Sequence, residues 1–426
     1  MERSTASLPP TGAEGPDPSY LERELMSPND IGVAVIGAGM AGKAHAAGYR
    51  TAPAVYDSIL PPIRLVSIAD AYEPVAKSTA KRFGFERHDT SWQAIVDADD
   101  IDVVSVVVAN ALHREIVEAL LGAGKHVLCE KPLSDTLDDA RAMVAAAESA
   151  STVARIGLTY RRSPGIAHIR DLVQSGRLGR VLNVSGHYWT DYGCNPQSPI
   201  SWRYKGPNGS GALADVGSHL TYLAEFVAGS EFTSVRGGTL STVIPTRPRP
   251  LGAVVGHEGG AVSDEREAVE NDDVAAFSGD FAGGGTATLQ VSRVAAGHPN
   301  TLAFEVFGDK GSASFDFRRP GEFGLFLPES DDAGYRTVTL GPAHPYWRGG
   351  LAMDAPGVGV GQNDGFVFQA RAFLEEVAGI PESSSLPRNA GFDDGLHNML
   401  LIDAVAQSAQ QNGAGIPVPS TTSVAI

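Results

Sequence analysis

The chain has 426 residues, of which 42% are hydrophobic and 19% are charged, and this length predicts two or three domains with well-buried cores. The formal net charge of −17 argues against nucleic acid and an anionic membrane as partners, because both would repel the protein. The two cysteines, Cys129 and Cys194, are too few for a disulfide framework or a cysteine-rich zinc module, and no metal site is expected.

The amino-terminal segment lacks the apolar run of a secretory leader, and no part of the sequence approaches the ~20 apolar residues of a membrane span. We therefore expect a cytoplasmic protein without a membrane partner. Residues 1–29 combine proline, serine, glycine and glutamate, which predicts a disordered tail. Residues 419–426 are expected to form a second, shorter tail.

Between residues 30 and 160, apolar runs alternate with stretches of helical periodicity. Strands joined in this way by helices form a doubly wound parallel sheet, so we expect an α/β Rossmann domain over 30–160. The predicted strands end near residues 37, 70, 110, 132 and 160, and the predicted helices reach residues 49 and 83 and cover 113–121 and 136–150.

From residue 161 to residue 418, strands follow strands, which predicts an α+β domain with a large, mostly antiparallel sheet and few helices. The acidic stretch 256–273 is interpreted as a solvated loop. The predicted strands are 181–189, 235–244, 274–281, 285–293, 301–307 and 312–317, and the predicted helices are 165–175, 366–377 and 396–410.

A G-x-G-x-x-G motif lies between the first predicted strand and the first predicted helix. Gly37 permits a tight turn, Gly39 lets backbone approach a pyrophosphate, and Gly42 lets the helix pack closely on the strand. The helix start at Met40 and Ala41 supplies amides and a positive dipole end for phosphates. Glycine turns occur in many strand–helix units, but this context favours dinucleotide binding.

Asp70 ends the second predicted strand and is the candidate for bonding the adenosine ribose. It lies 33 residues after Gly37, which predicts an insertion in the first crossover, at about 53–62. The next two residues are alanine and tyrosine, which offer no cation for a 2′-phosphate, so NAD is favoured over NADP. A helix cap is the alternative role for Asp70, and the two roles are compatible.

Four segments fall in the order and spacing typical of one enzyme family: GAGMAGKAH (37–45), VVVANALH (106–113), CEKPL (129–133) and GSGALADVGSH (209–219). From residue 31 to about 418 the sequence resembles the Gfo/Idh/MocA family of NAD(P)-dependent sugar and polyol oxidoreductases. YRRSP (160–164), SPISWR (198–203), VIPTRP (243–248) and YRTVTLGPAHPY (335–346) resemble the levoglucosan and inositol-type dehydrogenases most closely. Membership implies a Rossmann domain followed by a domain whose open sheet binds substrate and forms oligomer contacts, in a homodimer or homotetramer.

The resemblance implies that Lys131 polarises a substrate hydroxyl and that His219 is the base that takes its proton. Asp215 lies four residues before His219 on a helical turn, where its carboxylate would orient the imidazole. By residue type alone, a lone histidine is more often a packed core residue, and Lys131 could be a surface lysine. Further NAD contacts are expected from Asn110, His113, Glu130, Lys131, Trp202 and Arg203.

The substrate site is expected to depart from the family pattern, because Tyr222 stands where the family has an aspartate that binds a substrate hydroxyl. Ala109 and Thr159 also replace a usual proline and asparagine. Aromatic and basic side chains would suit a sugar with an anionic substituent, although each cation could instead pair with an acidic neighbour. The expected substrate contacts are Tyr160, Arg161, Arg162, Trp189, Asp191, Tyr192, Lys205 and Tyr222.

Three functions are compatible with these residues. The first is NAD-dependent oxidation of a ring hydroxyl, at carbon 3 of a pyranose, anhydrosugar or related polyol. The second is an NAD-dependent glycosidase that oxidises carbon 3 transiently, eliminates the anomeric group, adds water and reduces the ketone again, as on a sulfoquinovoside. The third is a non-catalytic NAD-binding sugar sensor, against which the retention of Lys131, Asp215 and His219 argues.

Overall fold

The computed structural model describes residues 30–55, 60–206, 211–252, 260–328, 334–347, 353, 355 and 357–420. The predicted tail at 1–29 lies outside these residues, as do positions 421–426 of the second tail. Parts of the predicted insertion (56–59) and of the acidic stretch (256–259) also lie outside them.

The first half of the described chain alternates strands with helices, as predicted. The strands are β1 Ile31–Ile36, β2 Ile63–Ala69, β3 Arg87–Asp89, β4 Val103–Val106, β5 His126–Cys129 and β6 Ala154–Ile156. The helices are α1 Met40–Val55, α2 Glu73–Phe83, α3 Trp92–Val96, α4 His113–Gly122 and α5 Leu137–Ser149.

These strands form a parallel sheet in the order β3-β2-β1-β4-β5-β6. Every residue of β1 and β4 is buried, as expected for central strands covered by helices on both faces. This order places the ends of β1 and β4 side by side. The predicted doubly wound Rossmann sheet is confirmed, and the site described below lies at the carboxyl ends of its strands.

The second half of the chain is rich in strands. They are β7 Val181–Trp189, β8 Phe232–Ser241, β9 Thr246–Pro250, β10 Val262–Ala268, β11 Val274–Phe281, β12 Thr286–Ser292, β13 Thr301–Gly308, β14 Ser312–Asp316, β15 Glu322–Phe326, β16 Arg336–Thr339 and β17 Ile416–Pro417. The α-helices here are α6 Pro164–Gln174, α7 Ser218–Ala228, α8 Asp364–Val377 and α9 Phe392–Gln410.

The large sheet of this half has the order β16-β15-β14-β13-β7-β12-β11-β8-β17. Strands β7 and β12 are parallel, and the other neighbouring pairs of this sheet are antiparallel. The predicted large, mostly antiparallel sheet is therefore confirmed. A Cβ atom on Gly186 of β7 would contact Leu220 of α7, so α7 packs on one face of the sheet.

The predicted loop over 256–273 is wrong at 262–268, which form a strand. Strand β10 pairs antiparallel with β9, although most of its side chains are exposed. Arg249 on β9 donates hydrogen bonds to Glu265 and Glu267 on β10. The charged residues that predicted a loop are thus paired across two exposed strands.

The last two helices return to the first domain. A Cβ atom on Gly48 of α1 would lie 2.7 Å from the carbonyl oxygen of Phe366 in α8. A Cβ atom on Gly395 of α9 would lie 2.7 Å from Cδ1 of Ile156 in β6 and 3.2 Å from Cβ of Leu133. Helices α8 and α9 therefore form part of the surface that covers the Rossmann sheet.

Within the described ranges, no helix combines the length and apolar character needed to cross a bilayer. The same residues contain no group of three or more histidine, cysteine, aspartate or glutamate side chains that could hold a metal ion.

Candidate active site

The turn between β1 and α1 has the geometry of a dinucleotide-binding turn. Gly37 has φ +104°, and a Cβ atom there would lie 2.0 Å from the carbonyl oxygen of Val107. A Cβ atom on Gly42 would lie 1.8 Å from the carbonyl oxygen of Gly37. A Cβ atom on Gly39, in contrast, meets no atom within 4 Å. The backbone needs glycine at 37 and 42, whereas Gly39 borders open space that a diphosphate can enter.

Helix α1 begins directly after this space. Met40 is 75% exposed and Ala41 is half-buried, so the first turn of the helix faces the same opening. The free backbone N–H groups of a helix start bind phosphate oxygens, and the helix dipole adds to the attraction. The donor set of the turn therefore fits the pyrophosphate of NAD.

Asp70 lies at the end of β2 beside the glycine turn. Its carboxylate accepts hydrogen bonds from the backbone N–H groups of Ala38 and Tyr72, both at 2.9 Å. Each carboxylate oxygen keeps a further lone pair, which can accept from a ribose hydroxyl. A negative charge at this position also repels a 2′-phosphate, in keeping with NAD rather than NADP.

Glu130 links the turn after β5 to helix α1. Its carboxylate accepts from the backbone N–H of Lys131 at 3.1 Å and hydrogen-bonds Nε2 of His45 at 2.9 Å. Nδ1 of His45 lies 3.0 Å from the hydroxyl of Ser105 in β4. No role for His45 is predicted from the sequence, although His45 is the last residue of the motif GAGMAGKAH.

His113 does not face a cofactor. Its side chain is fully buried, and its ring nitrogens lie 3.1 to 3.2 Å from the carbonyl oxygens of Val108, Pro132 and Leu133. The predicted direct NAD contact of His113 is therefore corrected: the imidazole joins the chain after β4 to the chain after β5. Asn110 opens the intervening 3₁₀ turn, 110–112, and is half-buried.

Lys131 is held by Asp215. Its Nζ donates to the backbone carbonyl of Asp215 at 2.7 Å and to Oδ1 of the same residue at 3.2 Å. Asp215 lies in a π-helical turn, Leu213–Gly217, that leads into α7, and such turns are frequent at functional sites. Oδ2 of Asp215 accepts from the hydroxyl of Tyr192 at 3.0 Å.

The charge of Asp215 is stabilised by its neighbours. Burial alone would raise the pKa of Asp215, but Lys131 and Arg203 outweigh burial and bring this pKa down to about 2. Among the described residues, the partners of the carboxylate are Lys131 and Tyr192. The expected orientation of His219 by Asp215 is not seen as a direct contact, because the carboxylate of Asp215 bonds Lys131 and Tyr192.

His219 lies one residue into α7, with its imidazole stacked on the ring of Tyr160 at 4.1 Å between centroids. Burial lowers the pKa of His219 well below its usual value, and Lys131 lowers it further against the opposite effect of Asp215. The imidazole is therefore neutral at neutral pH and able to accept a proton. The structure thus brings Lys131, Asp215, His219 and Tyr160 together.

Tyr188 joins this group, although sequence reasoning named its neighbour Trp189 instead. The hydroxyls of Tyr160 and Tyr188 are 2.9 Å apart. Side chains alternate along β7, so Trp189 lies on the opposite face of the sheet. There it stacks on His187, 3.7 Å away, and lines a concave region of about 590 Å³. The prediction that Trp189 lines the sugar site is therefore wrong.

Two predicted substrate cations are engaged elsewhere. Arg162 is buried and donates to Asn389 and to the backbone carbonyl of Pro387. Lys205 is more exposed and forms ion pairs with Glu267 and Glu270. Neither is available to a substrate as predicted, because Arg162 is buried and the three N–H donors of Lys205 face Ala268, Glu267 and Glu270.

Arg161 directly follows Tyr160 in the sequence, and its side chain contacts Tyr222 of α7. Nη1 of Arg161 donates to the hydroxyl of Tyr222 at 2.6 Å, and its guanidinium lies 4.6 Å from the centroid of the Phe226 ring. Tyr222 follows His219 by three residues on α7, so both face the same side of the helix. Tyr222 is the predicted substrate residue closest in sequence to His219, and its hydroxyl holds Arg161.

The remaining predicted residues lie in loops around this group. The guanidinium of Arg203 is 4.4 Å from the centroid of the Trp202 ring, which is 52% exposed. Arg203 also contributes to the lowered pKa of Asp215, which agrees with a position near that carboxylate. Asp191 is half-buried, and its carboxylate has no hydrogen-bond partner among the described residues.

Comparisons with known proteins agree with this geometry. The model of an oxidoreductase family with an NAD-binding Rossmann fold matches residues 31–158, and the model of the GFO/IDH/MocA C-terminal domain matches 166–314. Levoglucosan dehydrogenase of Pseudarthrobacter phenanthrenivorans is 36% identical over 390 residues, which cover 89% of this chain and 96% of that protein.

Solved structures show the same similarity. A levoglucosan dehydrogenase in complex with NADH and levoglucosan has a TM-score of 0.81 and 32% identity, covering 92% of this chain and 100% of the other. An oxidoreductase domain protein from Kribbella flavida has a TM-score of 0.82 and 33% identity, with the same coverage. Taken with the glycine turn and the Lys131 cluster, these similarities show that the chain belongs to the Gfo/Idh/MocA family of NAD-binding oxidoreductases.

Proposed function

We propose that the protein is an NAD-dependent dehydrogenase that oxidises a ring hydroxyl, at carbon 3, of a pyranose, anhydrosugar or related polyol. The observation that carries this proposal is the position of Lys131, whose ammonium bonds Asp215 one helical turn before His219, a buried imidazole whose pKa is lowered. A base that is unprotonated beside a fixed positive charge suits the removal of a hydroxyl proton. The structure of the similar levoglucosan dehydrogenase with NADH and levoglucosan supports a sugar substrate.

The residues that would hold NAD are those of the glycine turn, Asp70 and the turn that contains Glu130 and Lys131. When bound, NAD accepts a hydride from the carbon that carries the hydroxyl. Glu130 does not itself react: its bonds to His45 and to the Lys131 backbone hold the turn between strand and helix. Hydrogen bonds that support a reacting residue without touching the substrate set the position of its side chain.

Lys131 stabilises the negative charge that develops on the substrate oxygen. Its two hydrogen bonds to Asp215 use two of its three N–H donors and leave one for the substrate hydroxyl. Asp215 stays ionised and holds the ammonium group of Lys131 in place. The substrate oxygen therefore meets a positive charge whose position is already fixed. Hydrogen-bond donors that are preorganised in this way stabilise a developing oxyanion.

His219 takes the hydroxyl proton. Its low pKa keeps the ring nitrogen lone pair free, and the stacked ring of Tyr160 restricts the imidazole to one plane. Burial raises the pKa of Tyr160 to about 12 despite its hydrogen bond with Tyr188, so this phenol stays protonated at neutral pH. His219 is therefore the better base of the two.

The proposal is tested by product analysis with free sugars, levoglucosan and aryl glycosides, following NADH absorbance and aryl release together. A dehydrogenase produces NADH in proportion to the oxidised sugar. Aryl release without net NADH would identify the glycosidase instead. Neither product, with NAD and sugar still bound, would identify a sensor.

The same panel tests the charge of the substrate. The engagement of Arg162 and Lys205 in other contacts reduces the basic character that favoured an anionic sugar. We therefore propose a neutral sugar as the better substrate. A higher kcat/KM for a uronic or sulfonated sugar than for its neutral counterpart would contradict this choice.

A further inference from the structure

A chain of hydrogen bonds leads from Tyr160 into the large sheet. The hydroxyl of Tyr160 lies 2.9 Å from that of Tyr188, which donates to Oδ1 of Asn300 at 2.8 Å. Nδ2 of Asn300 donates to Oε1 of Gln362 at 2.8 Å, and Nε2 of Gln362 donates to the carbonyl oxygen of Phe317 at 3.3 Å. The chain thus connects a 3₁₀ turn, strand β7 and the segment before α8.

The last acceptor sets the direction of every bond in this chain. A backbone carbonyl can only accept, so the amide nitrogen of Gln362 faces Phe317 and its oxygen faces Asn300. The amide oxygen of Asn300 is then left for Tyr188, whose single hydroxyl proton it receives. Tyr160 must therefore donate its own proton to the oxygen of Tyr188.

The chain also returns to its starting point. The ring of Phe317 lies 4.4 Å from the ring of Tyr160, so the residue that ends the chain contacts the residue that begins it. Tyr160 is held by its hydroxyl through Tyr188 and by its ring through Phe317, and it stacks on His219. Buried rings that are fixed at two points lose little further entropy when a substrate binds.

We propose that Tyr188, Asn300 and Gln362 are positioning residues that hold the Tyr160 ring against the imidazole of His219. The inference rests on the proposed function, in which His219 is the base. The amide of Asn300 neither gains nor loses a proton near neutral pH, so the chain is not a path for the released proton. Tyr160 acts as a fixed platform whose own proton is committed to Tyr188.

The positioning is tested first without substrate or cofactor, by NMR of the protein labelled with ¹³C-histidine. The signal of His219, identified by its loss in His219→Asn, is shifted upfield by the stacked ring in the wild-type protein. Tyr188→Phe and Asn300→Ala should move this signal downfield, because the freed Tyr160 ring leaves the stack. Asn300→Gln keeps both an amide oxygen for Tyr188 and an amide nitrogen that can donate to Gln362, and it should retain the upfield position.

Kinetics with a sugar that the wild-type protein oxidises provides the second measurement. Tyr188→Phe and Asn300→Ala should lower kcat by about 10- to 100-fold, the usual effect of a displaced reacting group, with the Kd for NAD unchanged. Asn300→Gln should restore most of kcat. Tyr335→Phe is the matched control, because it removes a tyrosine hydroxyl from the opposite face of the same sheet.

Different results overturn the two proposals. An unchanged His219 signal in folded Tyr188→Phe and Asn300→Ala would overturn the positioning role, whatever the substrate. A downfield shift with kcat within about twofold of wild type would also overturn it, because the stack would then have no effect on the base. A wild-type protein that yields no NADH from any sugar would overturn the proposed function alone, and the NMR result would still decide the positioning.

Discussion

At the scale of single residues, Gly39 separates cofactor binding from folding. A Cβ atom there meets no atom of the described residues within 4 Å, so Gly39→Val should fold with a Tm close to that of wild type while losing NAD binding, because valine occupies the space of the pyrophosphate. Isothermal titration calorimetry with NAD measures the effect. Wild-type affinity in the folded variant would show that the dinucleotide does not bind at this turn.

Lys131 and His219 should affect turnover and spare the cofactor. Lys131→Met and His219→Asn are each expected to lower kcat by roughly 10² to 10⁴ with NAD affinity near wild type, the usual magnitude for positioned proton transfer. Steady-state kinetics and calorimetry check the two parts. Turnover within a few-fold of wild type in either folded variant would remove that residue from the catalytic set.

The pH dependence of the reaction reports on His219. A base must be unprotonated, and the pKa of His219 is lowered by burial and then by Lys131, so kcat/KM should persist to a pH well below 6.5 before it falls. In Lys131→Met the pKa of His219 should rise, so the fall of the remaining kcat/KM on the acidic side of the pH profile should move to higher pH. Identical limbs in the two proteins would show that another group titrates.

The family resemblance implied part of this site, and another part could not be predicted from the sequence for a physical reason. The motif residues Lys131, Asp215 and His219 lie together in the structure. Tyr188 and Trp189 are adjacent aromatic residues on a strand, and composition does not reveal which one faces the helix-covered side. Tyr188 is buried because α7, about 30 residues later in the sequence, packs against this face of β7.

At the scale of elements, the 3₁₀ turn Trp202–Tyr204 is anchored by a buried ion pair. Nε of Arg293 lies 2.7 Å from Oδ1 of Asp273, and both side chains are fully buried. The guanidinium of Arg293 is also 4.5 Å from the centroid of the Tyr204 ring. This contact connects the strands β11 and β12 to the turn that presents Trp202 and Arg203.

Arg293→Met should therefore destabilise the protein by about 3–5 kcal/mol, because it leaves the carboxylate of Asp273 buried without its cation. Urea unfolding followed by circular dichroism measures the change. Arg318→Met, which breaks an exposed ion pair with Asp316, is the control and should cost less than about 1 kcal/mol. Equal losses in the two variants would contradict the anchoring role.

The elements themselves were largely predictable from periodicity, and their errors have clear causes. Strands β7 and β11 begin and end as predicted, because apolar residues alternate along them. The strand predicted at 235–244 begins and ends three residues earlier, as β8. Strand β10 falls within a predicted loop, because its charged residues do not show the alternation of apolar and polar residues that predicts a strand. Only the partner strand β9 makes β10 stable.

At the scale of the whole molecule, we propose that the outer face of the large sheet contacts a second subunit. Family resemblance implies oligomer contacts on this sheet, and Trp189 stands among polar residues on its open face. Trp189→Glu should reduce the molar mass measured by light scattering to that of one chain, because the new charge adds to Glu305 and Asp316. An unchanged mass in the folded variant would place the subunit contact elsewhere.

The return of α8 and α9 to the first domain limits how freely the two domains can be exchanged between relatives. Thr159 donates to Gln369 of α8 at 2.7 Å, and Arg155 of β6 donates to Glu376 of α8 at 2.9 Å. A chimera joined after residue 160 would bring together a nucleotide-binding domain and covering helices that had not evolved as partners. Recombination within this family is therefore expected to succeed only where the crossover carries the carboxyl-terminal helices along with the amino-terminal domain.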